Sequence, residues 1–169
     1  MPIIRYEQPE DRAAIRHVHA HAFGQPQEAN LVDALRQAKA LLISLVAVQD
    51  GRLVGHIAFS PVTIVSETTT VEAIGLGPLA VLPADQRTGI GARLVTAGLT
   101  ACRETAYGIV VVLGHPDYYP RFGFTPAQPH GIVWEHEAPP ETFMVHELHE
   151  GVLAHTRGVV KYRHAFDVV

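Results

Sequence analysis

The sequence predicts a mixed α/β fold of the α+β type, with a central, mostly antiparallel sheet, one parallel strand pair and flanking helices. Residues 42–48 and 52–60 are rich in aliphatic and β-branched side chains and enclose Asp50-Gly51, a strong hairpin signal. Residues 109–113, Ile-Val-Val-Val-Leu, are continuously apolar, which suits a strand covered on both faces. Before them, residues 76–104 read as strand, polar turn and amphipathic helix. Residues 76–113 therefore form a βαβ unit and supply the parallel pair.

The chain has 169 residues, 47% of them hydrophobic, which suits one domain with a sizeable core. Residues 146–169 extend that domain with a weaker pattern. The net charge of −4 and the lack of a long basic stretch argue against nucleic acid as a partner. No run approaches the roughly 18 apolar residues of a membrane span. Residues 1–5, Met-Pro-Ile-Ile-Arg, read as a strand rather than a signal peptide. The single cysteine, Cys102, excludes an intrachain disulfide and suits a reducing compartment. A cytoplasmic enzyme is the class these observations favour.

Residues 3–7 read as the first strand. Pro9, Glu10 and Asp11 open a helix, where proline and acids are favoured. Ile15, Val18 and Ala22, with Ala14, form its apolar stripe. His17, His19 and His21 lie along it and read as surface histidines. His17 and His21 share a face, but no carboxylate or cysteine follows at ligand spacing, so no metal is expected. Residues 23–26 are a loop, and residues 28–38 a second helix with Leu31, Val32 and Leu35 inward. Pro61 marks a bend after the 52–60 strand, which 62–65 extend. Residues 66–70 are a polar hairpin loop.

The strand at 71–82 holds Gly75, Gly77 and Pro78 in its interior. Proline cannot donate to a ladder and glycine often marks a bulge, so this strand should part from one neighbour. The helix from Ile90 to about residue 104 carries Ile90, Leu94, Ala97 and Ala101 on one stripe, flanked by Val95, Leu99 and Cys102. Cys102 reads as a small core residue. After residue 113, Asp117 can cap a short helix, with Pro120 in its first turn and Gly123 stopping it. Residues 142–148 form a strand. Val160, Tyr162, His164 and Phe166 alternate as a last one.

Chemistry concentrates at residues 86–92, Gln-Arg-Thr-Gly-Ile-Gly-Ala. A helix start leaves about four N–H groups without internal partners, and with the positive end of the dipole they attract phosphate. Gly89 and Gly91 let an anion approach the backbone, and Arg87 and Arg93 add charge. The Gly-Lys-Ser/Thr ending of a P-loop is missing, and Leu94 stands where the dinucleotide fingerprint needs glycine or alanine. The segment instead resembles the Q/R-x-x-G-x-G/A signature of the GNAT superfamily, the acyl-CoA-dependent N-acetyltransferases. A second stretch, Tyr118-Tyr119-Pro120-Arg121-Phe122-Gly123-Phe124, resembles the aromatic-Tyr-x-x-x-Gly-Phe element of the same family. The longer string from His115 to Phe124 resembles a subgroup of predicted bacterial N-acetyltransferases.

The resemblance implies transfer of an acetyl group from acetyl-CoA to a primary amine of a small molecule or a protein. It implies that the parallel pair splays at the cofactor site. Backbone groups of Leu79, Ala80 and Val81 would face the pantetheine arm, with a main-chain N–H near Val81 as oxyanion donor. Gln86, Arg87, Thr88, Gly89, Ile90, Gly91 and Ala92 would hold the diphosphate. Tyr119 is the implied acid for the leaving thiolate, and Glu72 the family-like base, with Glu28, His56 and His115 as rivals. Residues 126–140, including Trp134, would form a loop over the acceptor site. Family members often dimerise, so a homodimer is an open expectation. A non-catalytic acyl-CoA sensor and an interaction module are the alternative functions.

Overall fold

A computed structural model describes residues 1–168. The chain folds into two compact units interleaved in sequence. The first holds residues 1–60, 77–101 and the C-terminal residues from His164; the second holds 61–76 and 102–163.

In the first unit, β1 (Ile3–Tyr6), β2 (Ile43–Gln49) and the first part of β3 (Arg52–Val65) form an antiparallel sheet. Asp50 and Gly51 both take positive φ, as the tight hairpin requires. Helices α1 (Arg12–Phe23) and α2 (Gln27–Gln37) cover one face, where Ile15, Val32 and Val46 form a buried cluster. Leu31, Leu35 and Ala40 make a second cluster, joined by Ala165 and Phe166. The other face receives α3 (Ile90–Arg103). A Cβ on Gly98 would lie 2.3 Å from the Phe59 ring, so only glycine lets this helix sit so close. The inward face of α3 is Leu94, Val95, Gly98, Leu99 and Cys102, while Ala97 and Ala101 are only partly buried. The expected stripe is thus rotated, because Gly98 rather than Ala97 meets the sheet.

In the second unit, β5 (Ile109–Leu113) lies beside the first part of β4 (Thr70–Val81) in the expected parallel sense. That pairing is registered only at Ile74–Val110 and Gly75–Val111, although β4 runs on to Val81. On its other side β5 pairs antiparallel with β8 (Phe143–Glu147), which also takes β6 (Thr125–Pro126). The end of β3 pairs with β9 (Gly158–Lys161), and β9 pairs in parallel with β7 (Ile132–Trp134), a second short parallel contact. Ile64, Ile109, Val111, Ile132, Phe143, Val145 and Val160 are the body of this core.

Several local expectations change. β3 runs through Pro61 to Val65 as one strand of 14 residues, so 62–65 do extend it. The alternation at 160–166 fails after Lys161, since His164 begins a 3-10 helix. Tyr118, not Asp117, precedes the 3-10 turn at Tyr119–Phe122, although Gly123 ends it at φ 93° as expected. Residues 126–140 hold short strands and 3-10 turns rather than a bare loop.

Candidate active site

The turn before α3 is built to present main-chain donors. A short 3-10 turn at Pro83–Asp85 follows β4, and Leu82 N–H donates to the Val54 carbonyl at 2.8 Å. Arg87 then takes φ 63° and Gly89 φ 91°. A left-handed arginine is uncommon and costs about 1–3 kcal/mol, which marks a geometry held for a purpose. Thr88 Oγ1 donates to the Asp85 carbonyl at 2.6 Å and fixes the turn. Arg93 N–H is the first in this stretch to bond back, to the Gly89 carbonyl at 3.1 Å. Among the described residues, the N–H groups of Arg87, Thr88, Gly89, Ile90, Gly91 and Ala92 have no protein acceptor.

Open space surrounds the Cβ position of Gly89. A row of unspent donors at a helix start fits a diphosphate. Two side chains here have other tasks. Gln86 Nε2 donates to the Val81 carbonyl at 2.9 Å, linking the turn to the end of β4. The Arg93 guanidinium donates to the Pro2 carbonyl, so Arg87 is the arginine left to meet a ligand.

Within β4, Leu79 and Val81 are half-buried and Ala80 is buried. The Gly77–Pro78 peptide is cis.

The second unit carries Tyr119, a residue only 8% exposed. Tyr118, at 5.1 Å between centroids, and Phe124, at 5.7 Å, both meet it edge-on. Gly114 closes the packing, since a Cβ there would fall 2.3 Å from Tyr119 Cε2. Burial, and secondarily Tyr118, raises the Tyr119 pKa above the usual phenol value. The hydroxyl therefore stays protonated through neutral pH. It has no hydrogen-bond partner among the described residues, yet it is not one of the polar atoms sealed from solvent. A neutral, unpartnered hydroxyl in contact with solvent can donate to a group that gathers negative charge.

The candidate bases separate clearly. Glu72 is exposed near the start of β4. Glu28 accepts from the Gln25 amide at 3.0 Å. His115 is exposed, and its carbonyl accepts the Tyr118 N–H at 3.1 Å.

His56 is fully buried and spends both ring nitrogens inside the first unit. Ser44 Oγ donates to the Glu7 carboxylate, which can only accept. Ser44 must then accept from His56 Nε2–H, at 2.7 Å. That leaves His56 Nδ1 to accept from His19 Nε2–H, at 2.8 Å. Arg36 completes the chain with two bonds of 3.0 Å to Glu7. His19 is therefore a core residue, not a surface one, and its Nδ1 is sealed without a partner. Burial lowers its pKa to about 4. His56 is likewise lowered by burial, then by His19 and Arg36, against a smaller opposing effect of Asp11. Neither suits a base that must reach a substrate.

The His17 and His21 rings pack at 3.9 Å between centroids with planes tilted by 35°, and His21 Nδ1 is bonded to the His17 carbonyl. Burial pushes the Cys102 thiol up to about 12, as for an inert core thiol.

Tyr162 is a residue the sequence treated only as strand pattern. Its Cε2 would meet a Cβ on Gly75 at 2.9 Å, so it packs on the glycine-bearing part of β4. Burial, then Tyr119, raises its pKa. The only sequence signal for it was the interior glycine of β4, which announces a close neighbour without naming it.

Comparison with known proteins agrees with this geometry. Residues 3–127 match the acetyltransferase (GNAT) domain family. The chain is 36% identical over 166 residues to the uncharacterized N-acetyltransferase YhbS of Escherichia coli (strain K12), covering 98% of both. It is 39% identical over 137 residues to the N-acetyltransferase YjhQ of the same organism, covering 76% of each. The crystal structure of Escherichia coli YhbS in complex with CoA superposes with a TM-score of 0.92 at 35% identity, over 98% of this chain and 92% of that one. A GNAT family acetyltransferase from Brucella melitensis, solved with acetyl-CoA, gives 0.81 at 40% identity over 99% of each. The family match takes in both the donor-rich turn at 87–92 and the Tyr119 loop. Identity of this level across nearly the whole length means that the chain belongs to the GNAT family of acetyltransferases.

Proposed function

We propose that this protein moves an acetyl group from acetyl-CoA to a primary amine by direct attack on the thioester, the chain working as one acetyltransferase domain in the cytoplasm. The observation that carries the reading is the row of free N–H groups at residues 87–92. The relatives solved with CoA and acetyl-CoA support the choice of donor. When bound, acetyl-CoA supplies an activated acetyl thioester.

The chain's own residues then have three tasks. Arg87 to Ala92 hold the diphosphate through main-chain donors, with Arg87 adding charge and Gln86 bracing the turn against the Val81 carbonyl. Leu79, Ala80 and Val81 offer backbone groups to the pantetheine arm, and an N–H near Val81 faces the carbonyl oxygen as it gathers charge. Removing such a donor costs roughly 3 kcal/mol of barrier. Tyr119 gives its proton to the leaving sulfur. Glu72, exposed to water, accepts the amine proton through a solvent molecule. The test is release of free CoA over a panel of amines, run beside Tyr119→Phe. Release with the native protein and a fall of at least about tenfold in the variant, at unchanged acetyl-CoA affinity, is the expected result. No release with any amine would overturn the reading.

A further inference from the structure

The second unit holds a cavity of about 570 Å³ that the sites described so far do not use. Its size lies in the range of small-molecule sites, roughly 300–1,000 Å³. Trp134 and Phe143 supply its aromatic wall, with ring centroids 6.3 Å apart and planes within 16°. Ile132 lies behind them, fully buried, and Pro139 and Pro140 form an edge.

The frame is fixed by backbone pairing. Trp134 lies opposite Val160 in the β7–β9 pair, and Glu135 N–H donates to the Val160 carbonyl at 3.2 Å. Phe143 lies opposite Leu113, and Thr142 holds the Pro139 carbonyl through N–H at 2.9 Å and Oγ1 at 2.6 Å. The Thr142 carbonyl in turn accepts Gly114 N–H at 2.9 Å, and Gly114 packs on the Tyr119 ring. The cavity wall and the Tyr119 loop thus leave from one strand end.

Glu137 is the carboxylate of the cavity lining, and His136 lines it too, its ring edge-to-face with Trp134 at 5.0 Å between centroids. Neither lysine nor arginine lines it. His136 faces Glu135 at 3.7 Å, and Glu137 has no ion-pair partner among the described residues. An aromatic wall with an exposed, unpaired carboxylate in the same lining favours an organic cation with an apolar body.

We propose that this cavity binds small primary amines bearing an aromatic or branched aliphatic group, and that these are the acceptors of the acetyl group. The acceptor role rests on the acyl-transfer reading; the binding does not.

Trp134 is the only tryptophan of the chain, so its fluorescence reports this cavity alone. The native protein, without acetyl-CoA, is titrated with 2-phenylethylamine and with its neutral counterpart 2-phenylethanol. The expected result is a saturable change for the amine and at least tenfold weaker binding of the alcohol. Glu137→Gln should narrow that gap to less than threefold. No saturable change, equal affinity for the two probes, or no response to Glu137→Gln would overturn the proposal. A CoA-release assay with the same amine then tests the acceptor role. Glu137→Gln should raise its KM at least fivefold and leave kcat within twofold. Release with other amines while 2-phenylethylamine neither binds nor reacts would sink this inference and spare the acyl-transfer reading. Binding without release from any amine would support the cavity as an amine site and sink acyl transfer.

Discussion

In the first unit, Glu7, Ser44, His56 and His19 bury their polar atoms and give nearly every one a partner. In the second, Tyr119 buries its ring and leaves its hydroxyl without one. Both regions hold titratable groups shifted by burial. Shifted ionisation alone therefore does not mark a reactive group. What distinguishes them is saturation. The histidine chain runs donor to acceptor from His19 to Glu7, and a substrate could enter it only by breaking a bond inside the core. The Tyr119 hydroxyl is free to donate outward. The first arrangement stabilises a helix on a sheet, and the second keeps a proton available.

The hardest test of that contrast is His56→Ala. It would leave Ser44 without its donor and His19 without its acceptor, and it would open a cavity. Such a loss should cost about 3–5 kcal/mol, read by urea unfolding. Activity per folded molecule should stay within about twofold. A loss below about 1 kcal/mol would deny the chain its structural role.

Acid offers the next test. His19 and His56 are held neutral in the fold, with pKa values below the ordinary 6.5. The unfolded chain thus binds more protons than the native one as pH falls below 6.5. Their stabilisation is full above that value and is lost as pH drops toward the folded pKa, about 4 for His19. His19 alone should contribute a fall of about 3 kcal/mol between pH 7 and pH 4, and His56 adds to it in the same direction, measured from urea midpoints. A flat profile over that window would contradict neutral buried histidines.

Tyr119→Phe turns the contrast around. Stability should shift by less than about 0.5 kcal/mol, because no protein bond is lost. Turnover should fall at least about tenfold, or about 1.4 kcal/mol. An unchanged kcat would show that an unpartnered hydroxyl is no guide to chemistry here. The smallest effect belongs to Glu72→Gln. An exposed carboxylate acting through water should give only about a two- to fivefold loss in kcat, largest for amines of high pKa. A loss as large as that of Tyr119→Phe would mean that Glu72 contacts the amine directly.

Much of the fold was legible in the residues. Ile109–Leu113 was identified as a strand to the residue, since five consecutive β-branched or aliphatic side chains admit few alternatives. The turn at 86–92 was legible because glycine spacing reports backbone geometry, which is local. His19 was misread because an imidazole is polar by type, although Ile15 and Phe23 lie four residues to either side of it, and contact with His56, 37 residues away, shows it buried. The α3 stripe was misplaced because glycine carries no hydrophobic signal, although Gly98 makes the closest approach to the sheet.

The sequence by itself determined the order of strands and helices as far as residue 113, the donor-rich turn and the aromatic loop. Each is set by neighbours a few residues apart, through dihedral preference, capping and apolar period. Only the tertiary structure decided which polar side chains are spent and which are free, and where Trp134 and Phe143 enclose space. Those outcomes depend on contacts between distant segments. A hydrogen bond or a cavity wall needs two surfaces, and a local pattern describes only one.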